Sequence, residues 1–149
     1  MLDLGCPDLA ADPKSIRVTK DEVVDVQFAA APGVLTSAVG LNHYGVGDAL
    51  LTGSTGDRWC VSRPIFDAKY RSCDGLVAGA PGRYRNIPVV VIARRIDEPF
   101  RIARRPGGDV LVGRAGDWAV QYGRDDCGLV AAARFASVYR PLNDPGGRA

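Results

Sequence analysis

Two stretches of this chain are similar enough to indicate an internal duplication. Residues 47–71 align with residues 116–140 without a gap, at an offset of 69 positions, and seven aligned positions are identical. The identical pairs are Gly47 and Gly116, Asp48 and Asp117, Asp57 and Asp126, Val61 and Val130, Phe66 and Phe135, Tyr70 and Tyr139, and Arg71 and Arg140. A duplicated segment predicts two similar local structures, so this feature constrains the fold more than composition does.

Each copy has the pattern of a β-hairpin followed by a short helix. The Gly-Asp pair predicts a tight turn, because glycine adopts positive φ freely and an aspartate side chain can bond nearby backbone N–H groups. Two apolar runs separated by a turn rich in glycine or aspartate then predict paired strands. In residues 63–71 and 132–140, a phenylalanine and a tyrosine four positions apart share one face of a helical turn. We expect these four rings to lie between helix and sheet, beside the following apolar residues: Leu50, Leu51, Val61, Val89, Val91, Val120 and Val130.

The repeat predicts an α+β fold that is mainly β. Two similar units, each a β-hairpin plus a short helix, would pack as one compact pseudo-symmetric body. The predicted segments are an N-terminal extension (1–20), repeat unit 1 (21–73), a linker rich in glycine and proline (74–87), repeat unit 2 (88–142) and a flexible tail (143–149). Residues 22–28 and 88–96 each predict a further strand, and residues 34–45 and 100–114 each predict a further hairpin.

The residues around both Gly-Asp pairs resemble a known family. Residues 47–70 and 93–128 are similar to the small bacterial and prophage proteins that carry a PGDYG motif. This chain has Val46 or Ala115 where the motif has proline, and Ala49 or Trp118 where the motif has tyrosine. The family has no established activity, so the resemblance implies a fold and transfers no catalytic residue.

Charge and hydropathy limit the classes of partner. The chain has 19 basic and 17 acidic residues and a formal net charge of +2, which is too small to predict nucleic-acid or membrane binding by itself. No apolar run approaches the ~18 residues that a membrane-spanning helix needs. The first residues also lack the basic and apolar regions of a signal peptide. We therefore expect a cytoplasmic protein, a monomer or homodimer, with no membrane and no nucleic-acid partner.

The cysteines give no metal-binding pattern. Cys6, Cys60, Cys73 and Cys127 include no Cys-x-x-Cys pair, and a single histidine cannot complete a usual zinc set. We predict no metal and no cofactor. A chain of this length can build a core without disulfides, which favours reduced thiols, although two disulfides remain the alternative.

Two sets of residues could support catalysis. A thiolate of Cys60 within hydrogen-bond reach of His43 would form a Cys–His nucleophile. Asp48 and Asp117 occupy matching positions of the repeat and could form an acid–base pair. The alternative for Cys60 is a small buried residue in a strand, and the alternative for the aspartates is a backbone-capping role in a turn.

A third set of residues points to binding. Arg94 and Arg95 lie in a locally basic part of the second half, and arginine bonds phosphate or carboxylate well. Trp59 and Trp118 do not align in the repeat, so at least one of them is available for a role outside a shared core. The complete predicted binding set is Arg94, Arg95, His43, Tyr44, Trp59, Trp118, Asp48 and Asp117.

The function we predict is a small non-catalytic binding or interaction module. It would hold an anionic small ligand or a protein partner in a groove between the two repeat units. One alternative is a small hydrolase or transferase that works through Cys60 and His43 or through the two aspartates. Another is a structural component of a phage or secretion assembly, which follows only from the family resemblance.

Overall fold

The computed structural model describes residues 1–37 and 39–142, and within them the chain is mainly β with two short α-helices. The predicted fold class, α+β with mostly strands, is confirmed at this level. The tail predicted over residues 143–149 lies outside the described residues.

The elements have the following bounds. The strands are β1 (Leu2–Asp3), β2 (Ile16–Lys20), β3 (Val23–Phe28), β4 (Gly33–Ser37), β5 (Gly40–Tyr44), β6 (Ala49–Thr52), β7 (Arg58–Val61), β8 (Tyr70–Ser72), β9 (Gly82–Asn86), β10 (Val90–Arg95), β11 (Phe100–Ala103), β12 (Val110–Gly113), β13 (Trp118–Gly123), β14 (Asp126–Val130) and β15 (Tyr139–Pro141). The α-helices are α1 (Arg63–Lys69) and α2 (Ala132–Val138), and a 3₁₀ turn spans Leu9–Ala11.

The chain divides into two units. Residues 21–87 form a continuous unit, and residues 1–20 together with the residues from 88 onward form a split unit. Residues 1–20, expected to be an extension, contribute β1 and β2 to the split unit, and the expected linker over 74–87 contains β9.

The continuous unit is built on a five-stranded antiparallel sheet in the order β7-β6-β3-β9-β8. Helix α1 begins after Ser62, has Pro64 in its first turn, where a missing N–H costs nothing, and ends at Lys69. The ring of Phe66 stacks on Tyr70 with centroids 5.0 Å apart. These rings bury one face of the sheet, and the core consists of Val24, Val26, Ala49, Leu51, Phe66, Tyr70 and Tyr84.

The split unit is built on a five-stranded antiparallel sheet in the order β14-β13-β10-β2-β15. Helix α2 begins after Ala131 and ends at Val138, and the ring of Phe135 stacks on Tyr139 with centroids 4.9 Å apart. Trp118 stacks on the other side of Phe135, at 3.9 Å. The core consists of Val18, Val91, Ala93, Val120, Val130, Phe135, Val138 and Tyr139.

Two residues expected in the core lie outside it. Leu50 is only half-buried, because it alternates with the inward-facing Ala49 and Leu51 and therefore faces the opposite side of β6. Val89 is 45% exposed, since it precedes β10 rather than lying within it.

Each unit also contains a separate hairpin. In the continuous unit, β4 and β5 form a two-stranded sheet that contacts β7. In the split unit, β11 and β12 form a hairpin that contacts β14, and β1 joins the other edge of β11 as a parallel strand.

The cysteine pairing differs from the expectation of reduced thiols. Cys6 and Cys127 form a disulfide within the split unit, whereas Cys60 is a buried thiol and Cys73 is an exposed thiol. The bond joins positions 121 residues apart, and such a long-range contact leaves no signal in local spacing.

Across the part of the chain that the structure describes, neither α-helix has the length or the hydrophobicity to cross a membrane.

Candidate functional site

The continuous unit has a concavity of about 470 Å³ on the sheet face opposite α1. We call this face of the sheet the outer face. The concavity is lined by Asp25, Val26, Gln27, Leu50, Thr52, Arg58, Pro81 and Gly82.

The strand alternation explains why polar side chains line this face. In β3, Val24 and Val26 point into the core, so Asp25 and Gln27 point outward, and both are exposed. Register then groups the lining residues, because Thr52 lies opposite both Asp25 and Arg58. The result is an open groove with a carboxylate, an amide, a hydroxyl and a guanidinium within reach of a bound group.

Arginines extend the outer face beyond the groove. Arg71 on β8 lies directly opposite Arg85 on β9. Arg83 lies two positions before Arg85, on the same side of β9. The guanidinium of Arg71 donates hydrogen bonds to the carbonyl oxygens of Asp67 and Tyr70, at 2.8 and 3.0 Å. Arg83 and Arg85 pair only loosely with exposed aspartates, at 3.5 Å from Asp74 and 3.9 Å from Asp21.

The corresponding face of the split unit is covered by the chain itself. Gln121 lies opposite Ile92 and Cys127, as Thr52 lies opposite Asp25 and Arg58. The side chain of Gln121 accepts a hydrogen bond from the backbone N–H of Leu9, at 2.8 Å, and Leu9 is buried. The chain therefore runs over this face beside Gln121.

Two further contacts hold the same segment. Cys6 is bonded to Cys127, and Arg94 Nη1 donates a hydrogen bond to Asp12 Oδ2 at 2.6 Å. Residues 6–12 are thereby anchored to β14, β13 and β10 in turn.

The two Gly-Asp pairs form the same kind of turn. Gly47 and Gly116 have φ of 86° and 97°, in the region that favours glycine. Asp48 Oδ2 accepts the N–H of Gly45 at 2.8 Å, and Asp117 Oδ2 accepts the N–H of Arg114 at 2.9 Å. Both carboxylates thus stabilise the backbone that leads into β6 and β13.

Both turns lie in a region that matches a known protein family. The sequence model of a family described as PGDYG protein matches residues 40–140, which include both turns and both helices. The chain belongs to the PGDYG family. No curated protein and no solved structure is significantly similar to it.

In this PGDYG protein, Cys60 lies near the backbone of His43. The thiol donates to the carbonyl oxygen of His43 at 3.5 Å, and Cys60 is 4% exposed. Burial of this kind is typical of a structural cysteine, since reactive thiols lie in partly exposed, electropositive surroundings.

The predicted aromatic residues have packing roles. Trp118 stacks on Phe135, and Trp59 packs on the core of the continuous unit. Tyr44 lies opposite Gly33 in the β4–β5 hairpin, where its ring fills the space beside the glycine.

The predicted arginines lie next to each other in β10 but have different surroundings. Arg94 is half-buried and bonded to Asp12. Arg95 lies opposite Trp118, is exposed, and has its Nε 3.8 Å from an Asp97 oxygen. The predicted binding set is thus divided between the units: Arg94, Arg95, Asp117 and Trp118 in the split unit, and His43, Tyr44, Asp48 and Trp59 in the continuous unit.

The pKa of Tyr122 departs from its ordinary value. The hydroxyls of Tyr122 and Tyr139 lie 2.9 Å apart in the split unit. Burial raises the pKa of Tyr122 above 10.0, and the hydrogen bond with Tyr139 opposes this increase in part.

No metal centre is found in residues 1–37 and 39–142, where no three His, Cys, Asp or Glu side chains group as possible ligands.

The sequence did not point to the groove residues. Asp25, Gln27 and Arg58 stand among apolar strand residues, and a strict alternation count over residues 23–28 would have placed the first two on a solvent face. The alternation within one strand does not predict the register between β6 and β7, which places Arg58 opposite Thr52.

Proposed function

We propose that this PGDYG protein is a non-catalytic binding module that holds an anionic partner on the outer face of the continuous unit. The groove around Asp25, Thr52 and Arg58 carries this proposal, because it is an open concavity lined by polar and charged side chains. The sequence suggested a groove between repeat units. The groove on the outer face is a better candidate for the binding site, since all of its lining residues belong to one unit.

The charges of the outer face support an anionic partner. Arg58 is exposed on β7 at one side of the groove, and Arg83 and Arg85 are exposed on β9, beyond β6 and β3. A bound carboxylate or phosphate would form charge-assisted hydrogen bonds with these exposed guanidinium groups.

The contrast between the units gives independent support. The chain's own residues 6–12 cover the face of the split unit through Cys127, Gln121 and Arg94. The matching residues of the continuous unit, Arg58, Thr52 and Gln27, line the concavity instead. A face that one unit uses to hold a peptide segment is therefore open in the other.

The comparison assumes that the two units are copies of one ancestral unit, and we include this duplication in the proposal. Matched contacts support it. The N–H of Phe66 bonds the carbonyl of Ser62 at 2.9 Å, and that of Phe135 bonds Ala131 at 2.9 Å. Likewise Gly47 N–H bonds Ala29 at 2.8 Å, and Gly116 N–H bonds Ile96 at 2.7 Å.

Nuclear magnetic resonance can test the binding function with hexaglutamate as the probe. Titration of the ¹⁵N-labelled chain should shift the amides of Gln27, Thr52 and Gly82, and the shifts should weaken as salt is added. Arg58→Gln should abolish them. Arg124→Gln, which removes the same charge from an exposed turn of the split unit, should not. Shifts that persist in R58Q, or that spread evenly over the basic residues, would contradict the proposal.

The same preparation can test the alternative that the protein is an enzyme with Cys60 as its nucleophile. Cys60 should react with iodoacetamide no faster than a model thiol, because it is buried. The labelling is done in the Cys73→Ser background, since Cys73 is exposed and free. Fast labelling of Cys60 would favour an enzyme.

A further inference from the structure

We infer that the outward edge of β4 and the adjoining outer face together bind one extended segment of another protein, which joins β4 as a parallel strand and directs a carboxylate to Arg58. This inference rests on the proposed function and specifies the chemistry of the partner. The partner is a polypeptide, since backbone groups and a side-chain site both take part.

The split unit supplies the template for this binding mode. There β1 runs parallel to β11, with Leu2 and Asp3 beside Phe100 and Arg101. The N–H of Leu2 donates to the carbonyl of Pro99 at 3.0 Å, and that of Leu4 donates to Arg101 at 3.0 Å. The N–H of Ala103 completes the ladder by donating to the carbonyl of Gly5 at 2.8 Å. These backbone bonds do not depend on which side chains the added segment carries.

Strand β4 matches β11 by register. Gly33 lies opposite Tyr44 at the start of β4, and Phe100 lies opposite Gly113 at the start of β11. When the two hairpins are aligned on these pairs, Val34 of β4 corresponds to Arg101 of β11, and Thr36 corresponds to Ala103.

The edge of β4 is open at those places. Among the described residues β4 pairs only with β5, and Ser37 and Gly40 close its two-residue hairpin loop. The alternation of antiparallel pairing then directs the backbone groups of Val34 and Thr36 away from β5. Both residues are exposed, and Gly33–Ser37 contains no charged residue, although exposed edges are usually protected by charge.

The path that the N-terminal segment follows after β1 predicts the side chains that the partner should carry. In the split unit the segment leaves β11 and reaches Cys127 through Cys6, then Gln121 through Leu9. In the continuous unit Arg58 stands in the place of Cys127, and Thr52 stands in that of Gln121. The partner should therefore carry an acidic residue two positions after the one that matches Leu4, followed by an apolar residue near Thr52.

The test uses a synthetic peptide with the sequence of residues 1–14 and the change Cys6→Glu. The full ¹⁵N-labelled chain keeps its disulfide, so its own segment remains on the split unit. Addition of the peptide should shift the amides of Thr36 and Thr52 together and slow hydrogen exchange at Thr36. Thr36→Pro removes one edge N–H and should weaken binding about tenfold, whereas Thr36→Val keeps it and should leave binding unchanged.

Charge recognition is tested with a second peptide that has Cys6→Ser instead. Arg58→Gln should weaken binding of the glutamate peptide about tenfold and should leave binding of the serine peptide unaltered. Unchanged thermal melting of T36P and R58Q establishes that both variants are folded. If T36P unfolds, strand addition is tested by the hydrogen-exchange protection of Thr36 in the wild-type chain alone.

The contrary outcomes separate this inference from the proposed function. Equal peptide binding by T36P and wild type, or no exchange protection at Thr36, would overturn strand addition while hexaglutamate shifts in the groove could still stand. Loss of the hexaglutamate shifts as well would overturn both. Concentration-dependent dimerisation that T36P abolishes, or binding of oligouridylate that competes with the peptide, would assign the edge to a second copy or to nucleic acid and overturn the inference.

Discussion

Phe100 and Gly113 lie directly opposite one another in the β11–β12 hairpin, and the phenyl ring occupies the space beside the glycine. A β-carbon on Gly113 would lie 2.6 Å from Phe100 Cε1, and Phe100 is fully buried. The hairpin of the continuous unit has the same aromatic–glycine pair with the strands exchanged, since Tyr44 lies opposite Gly33.

This relationship predicts unequal costs for two identical substitutions. Gly113→Ala should lower the free energy of unfolding by about 1–3 kcal/mol, because the buried ring cannot move away from the new methyl group. Gly33→Ala should cost less, since Tyr44 is only half-buried and can rotate. Urea denaturation of both variants measures the difference. Equal losses would show that the Phe100 ring does not set the cost at Gly113.

The two motif aspartates should also differ in their contribution to stability. Asp117 accepts two backbone N–H groups, from Arg114 and from Ala132 in the first turn of α2, each at 2.9 Å. Asp48 accepts the N–H of Gly45 through one oxygen. We expect Asp117→Ala to cost about 1–2 kcal/mol of unfolding free energy, and more than Asp48→Ala.

Asparagine variants provide the control for this comparison. An asparagine side chain has one acceptor oxygen and a donor NH₂ group, so Asp117→Asn should keep one of the two bonds and give an intermediate loss. The same urea measurement applies. An Asp117→Asn variant as unstable as the alanine variant would assign the effect to charge rather than to the second hydrogen bond.

How far the sequence predicts this fold depends on the distance over which each contact acts. The Phe66–Tyr70 and Phe135–Tyr139 stacks follow from a spacing of four residues, and the Gly47 and Gly116 turns follow from the freedom of glycine. These features are local, and the sequence predicted them.

The remaining features depend on long-range pairing. Strand β2 inserts between β10 and β15, although about seventy residues of chain separate β2 from β10, and nothing local to Ile16–Lys20 specifies those partners. The Cys6–Cys127 bond could not be predicted for the same reason, since its cysteines are 121 residues apart. Nor could the groove, because Thr52 and Arg58 lie side by side only once the register of β6 and β7 is fixed.

The disulfide should contribute strongly to the stability of the split unit. Closing a loop across 121 residues restricts the unfolded chain, so loss of the bond should cost about 2–5 kcal/mol of unfolding free energy. The comparison is between the chain with and without a phosphine reductant, in the Cys73→Ser background. Reduction should also accelerate hydrogen exchange at Leu4, whose N–H bonds Arg101. Equal stability in both conditions would show that these cysteines are not paired in solution.

The Tyr122–Tyr139 pair makes stability fall at high pH. Burial raises the pKa of Tyr122 in the folded protein above 10.0, whereas in the unfolded chain it keeps its ordinary value. Between these two pKa values the unfolded chain has released the tyrosine proton and the folded chain has retained it, so rising pH favours unfolding. The contribution is fully present below pH 10 and is lost as pH rises through the folded pKa.

Tyr122→Phe isolates this effect, because phenylalanine does not titrate. Unfolding free energies of both proteins, measured by urea denaturation between pH 8 and 11.5 in the Cys73→Ser background, should differ by a constant amount up to about pH 10. Above that pH the wild-type value should fall more steeply than that of the variant. Parallel curves over the whole range would mean that Tyr122 titrates alike in both states, and that its hydroxyl is not held in a buried pair with Tyr139.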